Sequence, residues 1–425
     1  MEKQNESEKQ KMSRPYAEFT VSQKAERSLR SGHPWVYADE VRGVAGEYSG
    51  GDIVDVISEK GRWLGSGFVN DKSKIRVRLV SRNANDKFDE NFWERRIRYA
   101  VSYRKTVMGS LDTCRMIYGE ADSFPGFTVD KYEDLLVTQV LSLGVEVRKD
   151  MLYRILIRVL AEEGQNVRGI LERCDVPVRK KEGLEEYKAF YRADGIPAPE
   201  KGEDAEARAA KVTIHENGLY YDIDCLNGQK TGYFLDQKFN RAAAARIGRG
   251  LNVLDCFCNI GGFSLNCAAG GASHVTGVDI SELAVAAARA GAKKNGLTEN
   301  CEFVAADVFD LLTDLASCGK KPYDFIILDP PAFTKSRETA KDAYRGYKDI
   351  NLRAMRALPR GGYLATCSCS HFMTDEMFRQ MLTEAAADAS VSLRQIEQRL
   401  AAPDHPVLWG VPETEYLKFY LFQVV

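Results

Sequence analysis

Residues 253–263 read Val253-Leu254-Asp255-Cys256-Phe257-Cys258-Asn259-Ile260-Gly261-Gly262-Phe263. A short apolar run ends in an acid, passes into a glycine-bearing turn and opens a helical stretch. The same grammar continues downstream. His274-Val275-Thr276-Gly277-Val278-Asp279 is a second apolar run, followed by Ser281 as an N-cap and an alanine-rich helix to Lys294. Cys301–Asp307, Tyr323–Asp329, Gly362–Cys369 and Tyr416–Val425 read as further strands. From about residue 212 onward, strands therefore alternate with helices. That alternation predicts an α/β, Rossmann-like, doubly wound parallel sheet that binds ligands at the carboxyl ends of its strands.

The opening turn narrows the ligand. Paired glycines at 261 and 262 allow close backbone approach where a Cβ would clash. A dinucleotide site would carry G-x-G-x-x-G to cradle a pyrophosphate, and this turn does not. An acidic, asparagine-bearing loop suits a ligand with an amino-acid moiety and no phosphate. Asp279 ends the second strand, where an acid accepts hydrogens from ribose hydroxyls. Asp307 ends the third, placed for an adenine amino group. The implied cofactor is S-adenosyl-L-methionine. Its expected contacts are Asp255, Phe257, Asn259, Gly261, Gly262, Asp279, Asp307 and Asp329.

The reactive end lies on the next two strands. Asp329-Pro330-Pro331-Ala332-Phe333 follows the fourth, and the two prolines stiffen the turn that carries Asp329. The fifth ends in Thr366-Cys367-Ser368-Cys369-Ser370. In such sheets the fourth strand neighbours the first and the fifth lies beside the fourth. Asp329 and the cysteines are then expected to share the cofactor crevice. A thiol and a carboxyl beside a methyl donor fit methylation of a pyrimidine carbon: thiolate addition at C6 makes C5 nucleophilic. The carboxyl group can hold the N3/N4 edge and the charge developing there.

The chain has 425 residues, enough for two to three domains at about 150 residues each. Hydrophobic residues are 44% and charged ones 28%, which excludes a mainly disordered, collagen-like or coiled-coil chain. The net charge of −2 excludes a uniformly basic coat protein. Yet residues 72–105 hold eleven Lys/Arg against four acids. Lys74, Arg76 and Arg78 alternate with apolar residues on a predicted strand, and Arg95, Arg96 and Arg98 lie on a predicted helix from Phe92 to Val107. All six are candidate phosphate contacts.

No run of 18 apolar residues predicts a membrane span. Residues 1–13 are polar, lack a signal-peptide core and read as a disordered tail. Ten cysteines, mostly in apolar runs, fit a reducing cytoplasm. The C-x-C pairs Cys256/Cys258 and Cys367/Cys369 are closer than the usual zinc spacing, so no metal is expected.

Several motifs in one order resemble the ribosomal RNA large subunit methyltransferase I family. Gly32-His33-Pro34-Trp35-Val36 and the glycine-rich strands after it look like that family's PUA domain. Gly119-Glu120-Ala121-Asp122-Ser123-Phe124-Pro125-Gly126 and Glu172-Arg173-Cys174-Asp175 resemble its small central α+β domain. Gln229-Lys230-Thr231-Gly232-Tyr233-Phe234-Leu235-Asp236-Gln237 is similar to a hairpin leading into its catalytic domain. Arg345-Gly346-Tyr347-Lys348-Asp349-Ile350-Asn351 and Ser368-Cys369-Ser370 also match.

The resemblance implies an RNA-binding PUA-like barrel over 14–85, a central domain over 86–205 and a class I methyltransferase domain over 206–425. It implies cytosine-C5 methylation of ribosomal RNA, with Cys369 as nucleophile and Cys367 secondary. Where related cytosine-C5 enzymes carry a second cysteine after the prolines, this chain has Ala332, so its product-release role has no candidate. The rival readings are uracil-C5 methylation, exocyclic-amine methylation and a catalytically silent RNA-binding assembly factor. The oligomeric state, monomer or homodimer, is left open.

Overall fold

The computed structural model describes residues 14–333 and 340–425. The tail expected over residues 1–13 lies outside the described residues. Three main sheets follow one another along the chain. The first has six strands, in the order Trp35–Tyr37, Ile75–Ser81, Trp63–Val69, Ile53–Ser58, Glu18–Val21, Val41–Ala45. Its core is a cluster around Phe19, Val54, Val56, Val69 and Val77.

The second sheet has five strands, in the order Lys188–Phe190, Gly169–Arg173, Leu135–Val140, Phe127–Tyr132, Thr113–Tyr118. Helices Glu90–Met108 and Lys149–Glu162 pack on it through Trp93, Ile97, Ile155 and Leu156. The same cluster takes in Phe68 and Val80 of the first sheet, so the two parts share apolar contacts. The charged residues 185–211 supply strand Lys188–Phe190 and helix Glu203–Ala209. The strand pairs antiparallel with Gly169–Arg173, which satisfies backbone groups that a free linker would leave to solvent.

A hairpin, Lys211–Glu216 against Leu219–Asp224, follows. Its strict alternation of buried and exposed residues drives Val212, Ile214, Tyr221 and Ile223 into one cluster. That cluster also contains Leu135 and Leu171 of the central sheet and Leu265 and Val285 of the catalytic part. The hairpin thus cements the two. Gln229–Gln237, expected as a hairpin, comes after it and is a turn ending in the short 3₁₀ segment Leu235–Gln237. Left-handed backbone at Lys230 (φ 52°) and positive φ at Gly232 (131°) break strand geometry there.

The described strands of the third sheet are β1 (Asn252–Cys256), β2 (His274–Asp279), β3 (Cys301–Ala305), β4 (Phe325–Leu328), β5 (Tyr363–Ser368), β6 (Leu393–Arg399) and β7 (Lys418–Val424). Their order is β3-β2-β1-β4-β5-β7-β6. The first five run parallel, and β7 is antiparallel between β5 and β6. Cys256 is level with Val278 and Leu328, and Leu328 with Thr366. The chain therefore leaves β1, β2, β4 and β5 along one edge, with Phe257, Asp279, Asp329 and Cys367–Cys369 side by side. The helix after β2 spans Glu282–Lys294, and the Ser281 hydroxyl accepts the Ala284 N–H at 3.3 Å, as the sequence predicts.

Candidate active site

At that edge a cavity opens, bordered by Phe257, Asn259, Gly262, Asp279, Asp329 and Cys369. The turn after β1 is unusually constrained. Phe257 and Asn259 both take positive φ (64° and 49°), as does Gly261 (82°). Two non-glycine residues in left-handed backbone so close together cost energy that the surroundings must offset. The offsets are visible: the Asn259 N–H donates to Asp279 Oδ2 at 2.9 Å, and the Ile260 N–H to Asn259 Oδ1 at 2.8 Å. A Cβ on Gly262 would fall 2.8 Å from Arg241 Nε. The second glycine therefore serves the packing of a buried arginine beneath the turn.

Asp279 accepts two backbone N–H groups, from Asn259 and, at 2.9 Å, from Ser281. Each carboxylate oxygen keeps a further acceptor site for a diol. Ile280, next in the chain, borders the cavity and is 75% exposed, an apolar surface suited to the face of a purine. Asp255 stands behind the turn. Its Oδ2 accepts the Ser264 N–H at 2.9 Å and the Ser264 hydroxyl at 2.5 Å, while Oδ1 is buried without a hydrogen-bond partner. Burial pushes its carboxyl up to about 7, against the pull of the Ser264 hydrogen bonds. Asp307 caps the helix Val308–Ser317, accepting the Phe309 N–H at 2.7 Å, and does not border the cavity.

Asp329 receives the Gln237 amide at 3.1 Å on Oδ1. That amide is oriented because its own oxygen accepts from Asn240 at 2.6 Å. Burial, followed by the charge of Asp236, pushes the Asp329 carboxyl up to about 6, while Arg241 pulls the other way. Cys367 is fully buried, and burial holds its thiol far above the usual range. Cys369 is half-buried and lines the cavity. Burial raises its thiol too, with Lys230 pulling it down and Asp329 and Asp236 pushing it up.

Two lysines that the sequence reading did not single out flank this thiol. Lys230 borders the cavity, its ammonium 4.8 Å from the centre of the Phe234 ring. Among the described residues no carboxylate lies in ion-pair range of it. Lys418, buried on β7, donates to the carbonyls of Ser370 and Tyr416, each at 2.7 Å, and so pins the turn behind Cys369. Lys230 lies in the stretch Gln229–Gln237 without being a site candidate there, and Lys418 stands in no motif; the left-handed backbone and the antiparallel β7 bring them here.

The six basic candidates divide. Arg78 is buried, 2.9 Å from Glu182 and 3.5 Å from Glu120, where it joins the first and second sheets. Arg76 pairs with Asp71, and Arg98 with Glu94 and Glu162 at 2.6 Å each. Arg95 is 3.2 Å from Asp86, and Arg96 donates to Ser123 at 3.2 Å. Lys74 is exposed. The positive stretch in the sequence is thus largely neutralised, by the nearby acids Asp71, Asp86 and Glu94 and by Glu120, Glu162 and Glu182 from segments further along the chain.

Comparisons with known proteins bear on this geometry. A family model described as a PUA-like domain matches residues 19–82, and one described as an S-adenosylmethionine-dependent methyltransferase matches residues 161–423. The protein named Ribosomal RNA large subunit methyltransferase I from Shewanella denitrificans is 40% identical over 397 residues, 92% of this chain and 96% of its own. Its namesake from Photobacterium profundum is 39% identical over the same share of both chains. The chain belongs to the ribosomal RNA large subunit methyltransferase I family. It is an S-adenosylmethionine-dependent methyltransferase with a PUA-like domain ahead of the catalytic sheet. A solved chain from Streptococcus mutans, a candidate SAM-dependent methyltransferase, shares the fold (TM-score 0.76, 22% identity, 96% of this chain and 100% of that one). So does a candidate methyltransferase solved in complex with SAH (TM-score 0.77, 22% identity, the same coverage).

Among the described residues no helix is long and apolar enough to cross a membrane, and no three His, Cys, Asp or Glu side chains cluster to hold a metal ion.

Proposed function

We propose that this methyltransferase acts on C5 of a cytosine in large-subunit ribosomal RNA, in the cytoplasm, through a covalent adduct between Cys369 and C6. The observation that carries the reading is the shared cavity: Cys369 and Asp329 border the same space as the turn after β1 and Asp279. The relatives' printed name supports ribosomal RNA as the substrate class.

The residues fit the cofactor. Asp279 has free acceptor capacity for the ribose, Ile280 and Phe257 offer apolar surface for the adenine, and Asp329 borders the end where the methyl group must lie. When bound, S-adenosylmethionine supplies an electrophilic methyl group on a sulfonium. The chain's own residues do the rest. The Cys369 thiol gives its proton to water, Sγ bonds to C6, and the C5=C6 electron pair moves toward C5, its charge shared with N3 and O2 of the ring. Asp329, with a carboxyl raised to about 6 and Oδ1 already engaged by Gln237, can carry a proton on Oδ2 and donate it to N3 while accepting from the N4 amine. That pattern matches cytosine; the N3–H and O4 of uracil would need the reverse. Lys230, with no carboxylate in ion-pair range among the described residues, is a cation at the cavity that favours the thiolate and the charge on O2. Once C5 is methylated, water takes the C5 proton, N3 returns its proton to Asp329, C5=C6 re-forms and the Cys369 thiolate leaves. Cys367, buried below, supports the strand and takes no part.

The test is an RNA carrying cytosine fluorinated at C5. Wild type should trap a covalent adduct on Cys369, mapped by mass spectrometry, and Cys369→Ala should trap none while binding cofactor normally. An adduct on Cys367, or methylation by Cys369→Ala at a near-normal rate, would refute the mechanism. Nucleoside analysis showing 5-methyluridine would replace cytosine by uracil.

A further inference from the structure

The segment between β6 and β7 carries Trp409, whose side chain is 93% exposed, the most open of the described large apolar residues. An indole so far out in water is not there for the core. Nor is it on a loose loop. Asp404 and His405 are buried; Asp404 accepts the Arg115 N–H at 2.8 Å, and its carbonyl accepts from Arg104 at 3.0 Å. Beyond the indole, the Leu408 N–H donates to Thr414 Oγ1 at 2.9 Å, and that hydroxyl donates to Val411 O at 2.7 Å. Gly410 (φ 90°) lies so close to the turn after the first helix that a Cβ there would fall 2.7 Å from Ser31 O. The fold fixes both flanks and presents the ring outward.

A Cβ on Gly32 would lie 3.4 Å from Trp409 O. Gly32 and His33 give their carbonyls to Arg82, at 2.9 and 3.1 Å, and Leu29 does so at 2.6 Å. Arg82 is exposed and has no acidic partner among the described residues, unlike Arg76, Arg78 and Arg98. Its charge is unneutralised. Glu413, on the same loop, is 3.3 Å from His33. Lys418, just past the loop, donates to Ser370 O in the turn behind Cys369 at 2.7 Å. The loop therefore spans from the PUA-like sheet to that turn, and Leu417 at its end borders the cavity.

We propose that Trp409 and Arg82 form a landing platform for single-stranded RNA next to the active site. The indole stacks on an unpaired base flanking the target, and the guanidinium meets an adjoining phosphate. This rests on the RNA reading above. An exposed aromatic and a cation without an acidic partner, whose segments both meet Gly32, offer what an unstacked strand recognises, since each base has a face and each nucleotide a charge. A target base that must enter the cavity has to leave its own stack, and the platform supplies a replacement for a neighbour.

The probe is a short fluorescently labelled RNA of mixed sequence, single-stranded or annealed to its complement, titrated by anisotropy. Trp409→Ala should weaken single-strand binding about tenfold or more, with cofactor affinity and thermal midpoint unchanged. Trp409→Phe should keep most of the affinity. Arg82→Gln should lower the slope of log K against log salt by about 0.7, which Trp409→Ala should leave alone. Indole emission should be quenched when RNA binds wild type, and the change should vanish in Trp409→Ala. Single-strand binding unchanged in Trp409→Ala would overturn the platform alone. Failure of wild type to bind RNA at all would overturn both the platform and the RNA reading. A concentration-dependent dimer in wild type that Trp409→Ala abolishes, without effect on RNA, would assign the indole to a second copy instead.

Discussion

Arg241 sits under the cofactor turn, donating to the Glu216 carboxylate and the Phe234 carbonyl, and replacing it should cost more than two hydrogen bonds imply. Its side chain and that of Glu216 are 3% and 1% exposed, with Nη1 2.5 Å from Oε1. The guanidinium also lies 4.2 Å from the centre of the Tyr233 ring and abuts Gly262. Arg241→Met keeps the apolar stem but strands the Glu216 carboxylate, whose remaining donor is the Tyr233 hydroxyl at 3.1 Å. Breaking one side of such a buried pair costs about 3–5 kcal/mol. For a cooperative unit of roughly 150–250 residues, that is a drop of about 6–20 °C in thermal midpoint. Replacing both partners, Glu216→Leu with Arg241→Met, should cost far less, because no charge is left buried. Thermal and urea unfolding of the two single variants and the double variant gives the coupling energy. A single variant within about 1 kcal/mol of wild type, or a double variant as unstable as the sum of the singles, would refute the reasoning.

Asp279→Ala should weaken S-adenosylmethionine binding more than tenfold by calorimetry, about 1.4 kcal/mol or more for a charge-assisted hydrogen-bonded pair; unchanged affinity would remove it from the ribose site. Asp255 should shape the pH dependence of the cofactor-free protein. With its folded pKa raised to about 7 from 3.8, the native state holds the extra proton, so stability should fall between about pH 4 and pH 7, by on the order of 4 kcal/mol. Asp255→Asn should abolish that slope and be more stable than wild type at pH 8; an unchanged slope by urea titration would show that the group does not titrate there. Arg78→Ala should lower thermal stability by loosening the junction of the first two sheets. Lys74→Ala should leave stability alone and reduce the salt slope of RNA binding by about 0.7, and equal effects of the two would contradict the division drawn between them.

Strand ends were the legible part of this chain. Asp255, Asp279 and Asp329 each follow an apolar run, and the parallel register sets them on one edge, as the alternation of elements predicts. Cys369 followed from the same logic. Strand β6 escaped notice because Leu393-Arg394-Gln395-Ile396-Glu397-Gln398-Arg399 is an edge strand exposed along most of its length, so no apolar face marks it. The basic stretch misled for a different reason. Local charge counting sees Arg78 but not Glu182, which is 104 residues away and meets it only in three dimensions. Asp307 shows a third limit: an acid before a helix serves equally as an N-cap or as a ligand contact, and spacing does not distinguish them. Lys230 and Lys418 reach the site through a left-handed turn and an antiparallel strand, neither of which leaves a periodic trace.

The insertion of β7 between β5 and β6 also has a consequence for the order in which the protein becomes competent during synthesis. Chains emerge from the ribosome at about 5–20 residues per second, and parallel neighbours β1 to β5 are complete well before β7 exists. Until Lys418–Val424 arrives, β5 has an open edge, the turn behind Cys369 lacks the Lys418 ammonium, and β6 has no partner in the sheet. A nascent chain can thus assemble its cofactor turn early yet hold its reactive thiol in an unfinished setting. The setting of Cys369 is thus completed only when β7 pairs with β5, later than the cofactor turn it serves.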